Sequence, residues 1–194
     1  MGFAATGDAG SPAAPDVGAR ASIRRRRAMA FARDLSRLLL MLLAATIVAL
    51  GWLLARTAWG RDDALDGDTA VAFALIGAMP PVWLAQLALS LARDGATPGQ
   101  RGGGLRIEVR RVEDARSAAM RRAARLALHP AGVVGWLWLA GATWVAALPV
   151  VAWPLTLFAA GGMLASLVTG LLWLARPSAL PPHDRLAGTR LVSA

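Results

Sequence analysis

Residues 24–54 read RRRRAMAFARDLSRLLLMLLAATIVALGWLL. Four consecutive arginines lead into an apolar run, Leu35 to Leu54, with Asp34 at its entrance and Arg37 as its one internal charge. About 20 such residues, wound as a helix, cross a hydrocarbon core about 30 Å thick, so the stretch reads as a membrane span. A basic stretch before an apolar one also suits a cleaved signal peptide. This run is longer than a signal core, is charged at its entrance and lacks a clean small-residue cleavage site, so it is expected to persist as a first transmembrane helix.

Three further runs follow at spanning length: Ala70 to Leu91, Val133 to Trp153 and Leu155 to Ala175. The expected fold class is therefore all-α, an integral membrane bundle of four transmembrane helices. Its expected parts are a disordered tail over 1–19, a membrane domain over 20–175 and a second tail over 176–194. A cytoplasmic loop and a basic interfacial helix are expected over 92–131. The first tail is rich in Gly, Ala, Pro and Asp and has no periodic apolar face to offset the entropy of ordering.

The 21 positive charges orient the bundle, and all are arginine. Seven lie in 20–37, nine in 93–125 and three in 176–190, whereas the 55–69 connection has Arg56 and Arg61 against Asp62, Asp63, Asp66 and Asp68. Basic segments stay on the cytoplasmic side during insertion, so both termini are expected there, in the inner (plasma) membrane of a bacterium. A hydrophobic share of 56% agrees with membrane residence. The net charge of +9 follows the span boundaries without interleaved base-stacking aromatics. It therefore predicts anionic lipid headgroups, and not nucleic acid, as the partner. No cysteine is present, so disulfides and thiolate ligands are excluded.

Within the spans, Pro80 and Pro81 remove backbone donors and should kink the second helix. Gln86, deeper in that helix, is expected to face the bundle interior. Trp153-Pro154 reads as a tight hairpin between spans three and four. Gly162, Ser166 and Gly170, four apart, predict a close-packed face on the last helix. Six tryptophans, Trp138 among them, cluster toward span ends as an interfacial belt, while Trp83 and Trp144 lie deeper as packing residues. In the long connection, residues 93–101 carry turn formers and Leu105 to Arg110 alternates like a strand. Asp114 to Leu128 reads as an amphipathic helix with Met120, Ala123, Ala124 and Ala127 on one face and Arg121, Arg122 and Arg125 on the other.

At these residues the chain resembles the RDD family of small multi-pass membrane proteins. Arg27 and Asp34 match the arginine and first aspartate of that family, seven residues apart on one helical face. Thr97, Pro98, Gly99, Gln100, Arg101, Gly104, Leu105, Arg106 and Ile107 match its cytoplasmic loop. The likeness covers about residues 24–153. Gly102 and Gly103 replace a usually apolar pair, and the second aspartate is open among Asp94, Glu108, Glu113 and Asp114. The resemblance implies transport of small ligands or cations.

An aspartate at this depth needs a partner or water. An ion pair of Asp34 with Arg37 or Arg27 would anchor the helix end; a proton or cation relay through Asp34 with Gln86 would make it a transport group. The alternative to transport is a membrane scaffold whose basic loop recruits a partner or anionic lipid. Four spans enclose little pathway, so a transporter of this size is expected to form a homo-oligomer. Enzyme motifs are lacking: there is no Gly-x-Ser-x-Gly elbow, zinc-protease histidine pair or phosphate loop, and no cofactor is expected. His129 and His183, in different segments, have no carboxylate cluster at ligand spacing, so no metal site is expected. His129, before Pro130, reads as a solvated helix end.

Overall fold

A computed structural model describes residues 17–109, 114–145, 149–175 and 182–193. The chain is a multi-pass, helical membrane protein. Among the described residues eight helices run: α1 Val17–Arg56, α2 Asp66–Gly77, α3 Met79–Asp94, α4 Pro98–Arg101, α5 Ala115–Ala124, α6 Gly132–Val145, α7 Pro149–Ala175 and α8 Pro182–Leu186. A 3₁₀ turn, Arg125–Leu128, continues α5, and the strands are β1 Leu105–Val109 and β2 Thr189–Ser193. The disordered tail expected over 1–19 is corrected at its end, since α1 begins at Val17; residues 1–16 lie outside the described residues.

With 40 residues, α1 is about 60 Å long, more than one bilayer crossing requires. It buries Ala30, Asp34, Leu38, Ala45 and Ala49, four or seven apart, and exposes Leu39, Leu40, Leu43 and Ile47. A single helical face therefore meets protein and the rest offers leucine to lipid.

Span two is Asp66–Asp94, broken at Ala78 between α2 and α3. Pro80 and Pro81 open α3, where a missing N–H is tolerated. Pro81 cannot donate to the Gly77 carbonyl, and the Trp138 indole does so instead, at 2.6 Å. Trp138, expected in the interfacial belt, therefore acts across helices at the break. Gln86 needs a correction too: Trp83, Leu87 and Leu91 form the buried stripe of α3, which leaves Gln86 exposed on another side.

The third and fourth runs divide differently from expectation. Helix α6 ends at Val145, about 21 Å long, and α7 runs from Pro149 through Trp153 and Pro154. Pro154 lies in the first two turns of α7 and forfeits one backbone bond without ending the helix, so the expected hairpin at 153–154 is helix. Among the described residues, three segments are long and apolar enough to cross a membrane: 24–56, 66–94 and 153–172. A fourth exists if α5 with its 3₁₀ turn and α6, bent by 74°, count as one broken span.

The small-residue face of α7 packs as expected. A Cβ on Gly162 would lie 2.8 Å from Trp136 Cζ2, and one on Gly170 3.2 Å from Pro130 Cγ. Fully buried Ser166 donates to Ala127 O at 2.8 Å, and Thr169 to Leu128 O at 2.6 Å. The Trp136 indole adds a second donor to Ala127 O at 3.0 Å. These three side chains satisfy carbonyls that the end of the 3₁₀ turn would leave unpaired.

Strand β1 follows its expected alternation, with Leu105 and Ile107 buried and Arg106 and Glu108 exposed. Its antiparallel partner is β2, in register Leu105 with Ser193 through Val109 with Thr189. Residues 182–193 of the expected tail are thus folded against the loop. Gly95, at φ +66°, ends α3, and its carbonyl accepts from Ile107 N at 2.7 Å, fixing the ribbon to the bundle. Leu38, Trp83, Leu87, Leu91, Ile107, Leu126 and Ala131 form the core where spans and ribbon meet.

Candidate functional site

Two buried polar clusters flank one cavity at this end of the bundle. The first is built on Thr97-Pro98-Gly99-Gln100. Thr97 Oγ1 accepts from Gln100 N at 3.2 Å, and Gln100 Oε1 accepts from Thr97 N at 3.0 Å. This reciprocal capping box, with Pro98 at the first helical position, stabilises the single turn α4. The free side of the turn is aimed at Asp34. The Asp34 carboxylate accepts from the Thr97 hydroxyl through Oδ2 and from Gly99 N through Oδ1, at 2.8 Å for the latter. The Asp34 carbonyl accepts the Trp83 indole N–H at 2.9 Å.

Gly99 is required here by proximity, not by a left-handed backbone, since positive φ occurs at Gly60, Gly95, Gly104 and Gly188 among the described glycines. A Cβ on Gly99 would sit 2.8 Å from Asp34 Cγ and closer still to Ala30 O. The turn lies directly on the backbone of α1. Asp34 is buried, and among the described residues no arginine forms an ion pair with it. The expected pairing with Arg37 or Arg27 is thus replaced by neutral donors from α4, and exposed Gln86 is not one of its partners.

Other expected site residues serve this architecture. Arg101 pairs with Asp94 at 3.0 Å on the surface. Gly104, at φ +62°, turns the chain into β1, where Leu105 is buried and Arg106 exposed. Of the acids left open as a second aspartate, Asp94 is in that pair and Glu108 pairs with Arg190 at 2.9 Å. Asp114 caps α5 by accepting from Ser117 N, which holds its carboxyl below the usual range. Glu113 lies outside the described residues.

The second cluster was not anticipated. Arg125 and Asp184 form a salt bridge with side chains 5% and 0% exposed, so two full charges are withdrawn from solvent together. Thr189 donates to Asp184 Oδ1 at 3.0 Å, and Arg125 Nη2 lies 3.3 Å from His183 Nε2. The His129 ring meets those of His183 and Phe31 edge to face, at centroid distances of 5.3 and 5.7 Å. His129 is therefore half-buried among aromatics, which corrects its reading as a solvated helix end. Burial, then Arg125 and Arg27, push His183 down to about 3, so it is neutral near neutrality. Half-buried Arg27 lies within electrostatic reach of Asp184 and Arg125, and its Nε has no partner among the described residues.

Arg125 had been expected on a solvated face with Arg121 and Arg122. The helix is rotated from that reading: Arg125 is buried, Arg121 and Arg122 are half-buried, and Met120 is 64% exposed. One sequence signal existed, since Asp184 is the only acidic residue after Asp114.

Between the clusters lies a cavity of about 540 Å³, within the usual range of about 300–1,000 Å³ for small-molecule sites. Asp34, Thr97 and Gln100 border it on one side, Arg27, Arg125, His129 and His183 on another, and leucine, valine and alanine elsewhere. Among the described residues there is no group of three or more metal-ligating side chains. Comparison with family profiles, curated proteins and solved structures yields no match to this chain.

Proposed function

We propose that this chain is a small-ligand transport module of the membrane, RDD-like in its motifs, whose ligand occupies the cavity beside Asp34. The carrying observation is that the residues behind the resemblance, Arg27 and Asp34 in α1 and Thr97 and Gln100 at α4, all line that cavity although the two segments lie more than 60 positions apart. In this reading the Asp34 contact with α4 is a latch. It joins the first span to the loop through two hydrogen bonds from neutral donors, so it can open without leaving an unpaired arginine behind. The arginine distribution supports placement in a bacterial inner membrane with both termini inside. One cavity of this size in a four-span unit supports assembly of several copies into a transporter.

The test is flux into proteoliposomes containing the purified chain. Imposed gradients of Na⁺, K⁺ and pH and a panel of small solutes and amphiphiles would be compared with Asp34→Asn and Thr97→Val variants. Flux in the wild type that both variants alter while remaining folded supports the reading. Absence of flux for every ion and solute sinks it and leaves a scaffold.

A further inference from the structure

The cavity has an unusual division of chemistry. At one end Arg27 and Arg125 both line it, whereas Asp184, which neutralises one of them, is not among its lining residues. His183 and His129 fill out that end as uncharged rings facing each other. Among the described residues, Arg27 and Arg125 against Asp184 leave this end with one net positive charge, and Arg27 Nε is buried there without a partner. A buried donor in that condition is costly unless something accepts from it.

The opposite polar side offers no comparable opening. Both Asp34 oxygens are engaged by Thr97 and Gly99, and Asp34 lies two helical turns, about 10 Å, from Arg27 along α1. Apart from Ser166, whose hydroxyl is bonded to Ala127 O, the remaining walls are apolar, among them Leu87, Leu126, Val134, Leu167 and Leu171. Leu167 and Leu171 line the cavity, are 47% and 65% exposed, and belong to the spanning-length part of α7. Exposed leucines of a membrane-length helix at the cavity border offer a lateral route from the bilayer.

We propose that this cavity binds a single-chain anionic amphiphile from the bilayer, with its acidic headgroup on Arg27 and Arg125 and its acyl chain along the leucines toward α7. A headgroup of one negative charge matches that one net positive charge, and a guanidinium suits a carboxylate or phosphate because its donors meet two oxygens at once. The negative charge of Asp34 repels the same headgroup and so fixes which end it occupies. A volume of this size suits one chain better than two. The inference rests on the cavity being a ligand site, as in the proposed transport function, but it concerns which ligand binds and does not require flux.

The test uses the full-length chain in a neutral maltoside detergent, with binding read by native mass spectrometry and by thermal shift. The probes share one acyl chain: oleate, oleoyl lysophosphatidate, monoolein and oleylamine, with inorganic phosphate as a headgroup without a chain. Expected is saturable one-to-one binding of the two anionic probes, at least tenfold tighter than that of monoolein or oleylamine, with no binding of phosphate alone. Oleate against lysophosphatidate decides between a fatty acid and a phosphate-headed lipid as the source of the acid. Arg27→Gln should lower affinity for the anionic probes at least tenfold, and Arg27→Lys should restore part of it. Should Arg27→Gln fail to fold, Leu171→Trp narrows the route from the exposed rim and should weaken binding with both arginines intact. Equal binding of all four chain-bearing probes, binding of phosphate as tight as oleate, or oleate binding unaffected by these variants would overturn the proposal. Anionic binding without flux would sink the transport reading alone, and flux of a cation without anionic binding would sink this inference alone.

Discussion

Asp34 and Asp184 are both buried carboxylates at the same end of the bundle, satisfied in opposite ways. Asp34 is held by a hydroxyl and a backbone N–H from a one-turn helix, whereas Asp184 is held by the guanidinium of Arg125 with help from Thr189. Hydrogen bonds from neutral donors can be exchanged for water without stranding a second ion. Separating an ion pair this deep leaves two charges in a poor solvent. The first cluster is thus suited to opening and the second to remaining shut, although both tie a loop or terminal segment to the spans.

The contrast is broken most directly at the ion pair. Arg125→Met leaves Asp184 charged and buried and should destabilise the fold by about 3–5 kcal/mol, while the Arg125→Met/Asp184→Leu double variant should recover most of that. Thermal denaturation in detergent measures both; a double variant no better than the single would mean that the pair is not the source of the loss. At the latch, Gly99→Val places a branched side chain against Ala30 O and Asp34. The cost should be about 1–3 kcal/mol, or more if α4 detaches altogether, read as folded yield on size exclusion.

Removing only the charge at the latch should cost less. Asp34→Asn keeps the shape and one carbonyl oxygen, and the Thr97 hydroxyl can reverse its role, so a loss of about 1–2 kcal/mol is expected. A loss as large as that of Arg125→Met would erase the distinction between the clusters. The smallest effect is with pH. His183 is held near 3 in the folded protein against about 6.5 unfolded, so the unfolded chain binds the extra proton between those values and stability falls as pH falls. Full stability is present above about pH 6.5. Lowering pH from 6.5 to 5.5 should remove about 1 kcal/mol through His183, a share that His183→Gln should abolish, while neighbouring His129, also held below its ordinary value by burial, adds a share that the variant leaves.

The difference between the clusters also governs how much of them the sequence could reveal. Asp34 stands out because a charge at the entrance to 20 apolar residues demands an explanation, and Thr97-Pro98-Gly99-Gln100 declares a turn by its residue types. Their meeting across more than 60 positions does not follow from either pattern, and the partners that the pattern does offer Asp34 are arginines within two helical turns. Arg125 is one of nine arginines in its segment, and nothing local distinguishes the buried one. Asp184 is 59 residues away, in a stretch short enough to pass for a tail. The alternation over Leu105 to Val109 was legible as a strand, but β2 was not recognised as its partner. Trp153-Pro154 misled because proline marks helix ends in water, while near the start of a membrane helix it forfeits one bond. Gln86 failed as an interior residue because depth in a span does not determine which side of the helix meets protein.

Pairing β2 with β1 and Asp184 with Arg125 also has a consequence in time. Residues 182–193 leave the ribosome after α1 to α7 have been made. Until they arrive, Arg125 has no counter-charge and the hydrogen-bonding edge of β1 is open, so a bundle already threaded through the bilayer is unfinished at one end. Translation interrupted after α7 would yield a product with its spans in place and a bare strand edge and buried cation beside them, features by which a quality-control protease can tell an incomplete copy from a finished one.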